Sequence, residues 1–126
     1  MESLNIEETK YTPKISMDPV TGTVAMTGKS YPENTFEFYA PVMEWLESYF
    51  KGEAQDVTVV NMEIIYFNSS SSKLFFDFFD VLDEAKDDHK IEINWIYDAD
   101  NESAEEAGED FIEDFEDLTI KLVVKE

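Results

Sequence analysis

Four consecutive serines, Ser69 to Ser72, followed by Lys73, form the densest run of side chains able to carry chemistry. A run rich in branched and aromatic residues, Val57 to Phe67, leads into them through Asn68, and a helical pattern, Lys73 to Ala85, leads out. Serine at the start of a helix can accept from backbone amides that lack an intrahelical partner, and one residue suffices for such a cap. A hydroxyl there can also carry an ester. The helix N-terminus holds about half a unit of positive charge, which favours an attached phosphate. Four hydroxyls exceed the need of a cap, so the turn is a candidate for phosphorylation, with Lys73 at hand.

Two other constellations suggest chemistry and sustain it poorly. Asp98 and Asp100 close an apolar run, "INWIYDADN". An Asp-x-Asp pair after a strand opens sites in which the first carboxylate attacks phosphate while magnesium neutralises charge. Only 26 residues follow Asp100, too few for the further acids and lysine of such a site. A metal-dependent phosphatase using Asp98 and Asp100 is therefore the alternative, and helix capping the simpler reading. The same stretch puts Asp98, Asp100, Glu102 and Glu109 at calcium-loop spacing, but Ser103 stands where the sharp turn needs glycine. His89, the only histidine, lies in the polar segment "DDHKIE" and reads as a surface residue with no triad partner. The four glycines form no phosphate loop. The expectation is a protein that is not an enzyme and holds no metal or cofactor.

Charge narrows the partners. Thirty acidic residues face nine basic ones, a net of −21, and all nine are lysine. Without arginine the chain lacks the planar fork that grips phosphate or carboxylate in two places. Nucleic acid, bound mainly by neutralising phosphates, is a poor partner, and an anionic membrane surface repels this chain. There is no cysteine, no basic-apolar leader and no apolar run of about 20 residues. A cytoplasmic location is expected.

At 126 residues and 43% hydrophobic, the sequence suits one folded domain, 1–126. Two β segments, "TKYTPKISMD" and "GTVAMTGKS", flank a turn at Pro19 to Gly22 and read as a hairpin with Val24 and Met26 on one face. Phe38, Val42, Trp45, Leu46 and Tyr49 recur at helical spacing, with Pro41 demanding a break or fresh start and Gly52 a stop. "DVTVVNMEIIYF" reads as a strand covered on both faces over part of its length. A helix at the serines, the strand "KIEINWIYD", an acidic helix and the strand "LTIKLVVKE" complete the order β-β-α-β-α-β-α-β. Such alternation implies a mixed sheet: parallel β-α-β units, antiparallel edges from the first hairpin, and about three helices.

On the helix after the serines, Leu74, Phe75, Phe78, Val81, Leu82 and Ala85 make an apolar face, with Phe79 at its margin. Lys73, Asp77, Asp80, Glu84 and Asp87 face the other way, and Phe76 falls among them as a candidate docking aromatic. Upstream, "SYPEN" offers a second element. Pro32 extends Tyr31, and Asn34 caps a helix with Glu37 completing a capping box.

Taken together, "SYPENTFEFYAPVMEW", "IIYFNSSSSKLFFDFFDVLDEA" and, more faintly, "INWIYDADNESAEEAGEDF" resemble the SiaC-like regulatory phosphoproteins of bacteria. The resemblance covers most of the chain. It implies a STAS-like fold, related to anti-sigma factor antagonists that are phosphorylated at a strand-to-helix turn. It also implies partner switching: a dedicated protein kinase adds phosphate, a PPM-type protein phosphatase removes it, and the unphosphorylated form binds an effector such as a diguanylate cyclase, raising cyclic-di-GMP and promoting biofilm or aggregation. The modified hydroxyl follows the Asn of the motif, which is Ser69 here, where the family commonly has Thr; Ser70 and Ser71 are secondary candidates. Partner contacts are expected at Tyr31, Pro32, Glu33, Asn34, Asn68, Ser70, Ser71, Lys73, Phe76, Asp77 and Asp80. An unmodified STAS-like module that binds a ligand or serves as scaffold is a further alternative.

Overall fold

The structure, a computed structural model, describes residues 1–125. Its elements are β1 (Leu4–Ile6), β2 (Lys14–Asp18), β3 (Thr23–Ser30), α1 (Thr35–Ser48), β4 (Val57–Phe67), α2 (Ser69–Ala85), β5 (Lys90–Asp98), α3 (Glu102–Asp114) and β6 (Ile120–Lys125). The strands lie in one sheet in sequence order, β1 to β3 antiparallel and β3 to β6 parallel. Each parallel connection joins neighbouring strands through one helix, and crossovers of a single hand put all three helices on the same face.

Alternation along the strands records that arrangement. Val24 and Met26 of β3, Val60, Met62 and Ile64 of β4, and Ile93 and Trp95 of β5 are buried under the helices. The residues between them turn away. Ser16, Ala25, Asn61, Asn94 and Lys121 stand in register across the bare face, where the Asn94 Nδ2 donates to Asn61 Oδ1 at 2.8 Å. The expectation that β4 is covered on both faces is thus corrected. Val57 and Val59 are only half-buried because the layer of helices is one-sided.

Two further departures have local causes. β1 falls outside the expected order; only three residues long, it is held at the sheet edge by pairing with β2 and by Trp45 Nε1 donating to the Glu2 carbonyl at 2.9 Å. Pro41 does not break α1, which runs through it to Ser48 and closes in a π-type turn over Tyr49–Glu53. Pro41 and Glu37 are both exposed, so the Glu37 carbonyl that loses its helical donor faces water. Gly52 lies inside that closing turn, as the stop signal anticipated.

The end of β4 is irregular, and the irregularity sets up the site. Pairing with β3 slips between Gly28 and Lys29: Gly28 faces Ile64, but Lys29 faces Tyr66. Ile65 is the extra residue of a bulge. Strict alternation from Ile64 would bury Tyr66; the bulge leaves Ile65 and Tyr66 exposed and turns Phe67 inward against Phe75, with ring centroids 5.4 Å apart. Gly28 sits at φ 130°, a backbone conformation that residues with a Cβ rarely adopt, so glycine is favoured there. The Ile65 carbonyl accepts from Asn101 Nδ2 at 3.0 Å, tying the bulge to the residue that caps α3.

Candidate functional site

Turning Phe67 inward brings the next residue, Asn68, into position at the head of α2. Its amide donates to the Ser30 carbonyl at 3.1 Å, and its side chain, not a serine, is the N-cap, accepting from Ser71 N at 2.9 Å. All four serines therefore lie inside the first turn of the helix. Ser72 N bonds the Asn68 carbonyl, so the amides left without a bond among the described residues are those of Ser69 and Ser70. Both of those side chains are exposed, and Lys73, one turn on, is exposed and makes no ion pair among the described residues.

The third serine differs. Ser71 is fully buried and belongs to a chain of hydroxyls joining three elements: Tyr39 of α1 meets Ser30 at 2.6 Å, Ser30 Oγ meets Ser71 Oγ at 2.7 Å, and Ser71 Oγ donates to the Ser30 carbonyl at 2.9 Å. Each hydroxyl has one proton, which fixes the direction. Ser71 gives its proton to the carbonyl, so Ser30 donates to Ser71, and Tyr39 donates to Ser30. Ser71 is accordingly withdrawn as an acceptor and as a partner contact, because its oxygen is committed and sealed.

Burial pushes the Tyr39 hydroxyl up from 10.0 to about 12. A value raised on folding means that the stability it contributes is complete below pH 10 and lost as pH climbs to about 12. The predicted loss across that window is about 3 kcal/mol, read as a fall in urea midpoint; Tyr39→Phe should flatten it.

Beside the turn, α1 and α2 enclose a groove of about 360 Å³ lined by Glu33, Asn34, Thr35, Phe36, Ser70, Lys73, Leu74 and Asp77. Five of the expected contact residues, Glu33, Asn34, Ser70, Lys73 and Asp77, thus come together. Asn34 also caps α1, accepting from Glu37 N at 3.0 Å while its Nδ2 donates to the Glu37 carboxylate at 3.2 Å. Phe36 was not anticipated. It is 81% exposed at the groove, and its signal in the sequence was its place in the first turn of a capped helix, one step off the apolar stripe.

The remaining expected contacts lie elsewhere. Tyr31 packs edge-on between Tyr11 and Tyr66, at 5.3 and 5.6 Å, on the other side of the turn. Half-buried Pro32 follows it, and Asn68 is occupied as a cap. Asp80 is exposed but does not line the groove. Phe76 is exposed, as expected, at 36%, with one side of its ring against Phe111 and Phe115 at 5.3 and 5.8 Å. Packing against α3 makes Phe79 wholly buried rather than marginal.

Asp98 and Asp100 form the turn before α3. Asp98 Oδ1 accepts from Asp100 N at 3.0 Å, the Asp98 carbonyl accepts from Asn101 N, and Asn101 caps the helix. Glu102 and Glu109 belong to α3, so the calcium-loop spacing corresponds to no loop. No group of three or more His, Asp or Glu side chains suited to a metal occurs among the described residues. His89 lies in the turn segment before β5, half-buried beside Phe50 with ring centroids 5.2 Å apart. No described helix is long and apolar enough to cross a membrane.

A mixed sheet with three helices on one face, carrying a hydroxyl turn at the head of the second, defines a class of small two-layered α/β proteins. The profile of the SiaC family regulatory phosphoproteins matches residues 6–125, and the chain belongs to that family. An uncharacterized protein of Pseudomonas aeruginosa (strain UCBPP-PA14) is 36% identical over 115 residues, 90% of each chain. Apo-SiaC of P. aeruginosa superimposes with a TM-score of 0.83 at 29% identity, covering 100% of both chains. The crystal structure of the diguanylate cyclase SiaD in complex with its activator SiaC, also from P. aeruginosa, gives 0.89 at 32% identity, covering 97% of this chain and 99% of the other.

Proposed function

We propose that this protein is a non-enzymatic switch: its unphosphorylated form binds and activates a diguanylate cyclase, a partner kinase esterifies Ser69, and a PPM-type phosphatase restores the hydroxyl. Cyclic-di-GMP and the biofilm or aggregation it promotes are the output. The observation that carries this reading is the exposed Ser69 beside unpaired amides at the start of α2, one residue from a groove with a bare phenylalanine. The effector assignment draws on the relative that activates SiaD. Phosphate at Ser69 adds roughly −1.5 to −2 charge. The helix start tolerates that charge, so the fold survives, while a partner covering the groove has to desolvate it beside Asp77 and Glu33.

Intact mass of the protein from its native cell tests the reading. A species heavier by about 80 Da, the mass of one phosphoryl group, should map to Ser69 and vanish in Ser69→Ala. Its absence under both aggregating and dispersed growth would sink the switch.

Phe36 supplies a separate check on the groove. Phe36→Ala should weaken cyclase binding about tenfold or more, or ~1–2 kcal/mol, as expected of an aromatic anchor. Its melting temperature should stay within a degree or so of wild type, since the ring is already in water. Calorimetric titration and thermal denaturation read the two quantities.

A further inference from the structure

We infer that the hydroxyl chain Tyr39–Ser30–Ser71 is the clamp that holds the acceptor turn against the end of β3, making Ser71 a positioning residue and confining esterification to Ser69 and Ser70. The modification half of this inference rests on the proposed switch; the clamp does not. Three side chains of Ser and Tyr, at most 1% exposed, are joined by contacts of 2.6 to 2.9 Å with every proton accounted for. Nothing in hydrophobic packing needs hydroxyls there, and burying them unpaired would be costly. Their chain ends on the Ser30 carbonyl, which accepts from both Ser71 Oγ and Asn68 N. One backbone oxygen thereby fixes the cap residue and the first-turn serine together. Ser69 and Ser70 lie between those two anchors and are presented to solvent by them.

The clamp also links the turn to the groove. Tyr39 belongs to α1, which is capped by Asn34 and carries Thr35 and Phe36 in its first turn, and its ring packs on Phe75 of α2 at 5.9 Å. Tyr39 thus joins α1 to α2 by apolar contact as well as through Ser30.

Hydrogen exchange followed by NMR on unphosphorylated wild type, Ser71→Ala and Tyr39→Phe tests the clamp, with Val60→Ala as a control destabilised elsewhere in the core. The amides of Ser71 and Ser72 should exchange at least about tenfold faster in Ser71→Ala, and measurably faster in Tyr39→Phe, than global stability explains. Exchange there no faster than in a Val60→Ala control of equal stability would overturn the inference. The same variants, recovered from native cells, test positioning. Wild type should carry phosphate on Ser69 or Ser70 and none on Ser71, and occupancy should drop severalfold in Ser71→Ala. Phosphate on Ser71 of wild type, or undiminished occupancy in Ser71→Ala, would also overturn it. Wild type free of phosphate would remove the switch and the positioning role with it, leaving exchange to decide the clamp alone.

Discussion

Ser69→Asp, or the phosphate itself, is expected to weaken binding of a diguanylate cyclase partner by about a hundredfold or more, near 3 kcal/mol. A negative charge at this point has amides behind it but no cation bonded to it except what Lys73 can offer. The chain already carries a net of −21, and Asp77 and Glu33 line the adjoining groove. A partner closing over the turn strips water from the new charge, and an unpaired desolvated charge costs roughly 2–5 kcal/mol. Ser69→Asn, of similar size without charge, should bind within a few-fold of wild type. Calorimetric titration of all three proteins, with melting temperatures alongside, separates loss of binding from loss of fold. Equal affinities for wild type and Ser69→Asp would remove the switch from this residue. Ser71→Asp offers the opposite case: it puts a carboxylate into a sealed hydroxyl chain and should fail to fold rather than merely fail to bind.

The second large effect lies in the core. Trp95→Ala should cost about 3–5 kcal/mol, measured by urea denaturation. The indole is fully buried, packs against Phe111 at 5.3 Å, and donates through Nε1 to the Ala104 carbonyl at 2.8 Å. Its place depends on Gly108 of α3, where a Cβ would lie 2.5 Å from Trp95 Cδ1 and 2.6 Å from Leu122 Cδ2. Gly108→Ala should therefore destabilise by ~1–3 kcal/mol, despite alanine's better helix propensity. Combined with Trp95→Ala, which removes one of the two obstacles, it should cost clearly less than the sum of the single changes. Strict additivity would mean that α3 does not rest on the indole in the way described.

Periodicity exposed much of this architecture before any coordinates. The parallel β-α-β units, the hairpin with Val24 and Met26 inward, and the apolar stripe of α2 are all properties of residue spacing. What spacing could not give was the identity of neighbours. Phe79 looked marginal because a helical wheel knows nothing of α3 packing on that side, which buries Phe79 and gives the still exposed Phe76 aromatic neighbours. β4 looked two-sided because Val57 and Val59 are as apolar as Val60; only the one-sided layer of helices distinguishes them. The bulge at Ile65 was invisible, since it is a feature of the pairing with another strand, where it sits opposite the step from Gly28 to Lys29. At the site, composition marked the serine turn but assigned the cap to a serine, when Asn68 performs it. The division of labour among the four hydroxyls depended on Ser30 and Tyr39, which are 41 and 32 positions before Ser71 in the chain.

The slip at Ile65 has a consequence downstream. Closing the slip with Ile65 retained would restore plain alternation, bury Tyr66, turn Phe67 outward and shift everything downstream by one residue against β3. Asn68 would then miss the Ser30 oxygen, and the serines would meet the wrong surroundings. It is the phase in which β4 ends that carries Asn68 to the Ser30 oxygen and the serines to their places.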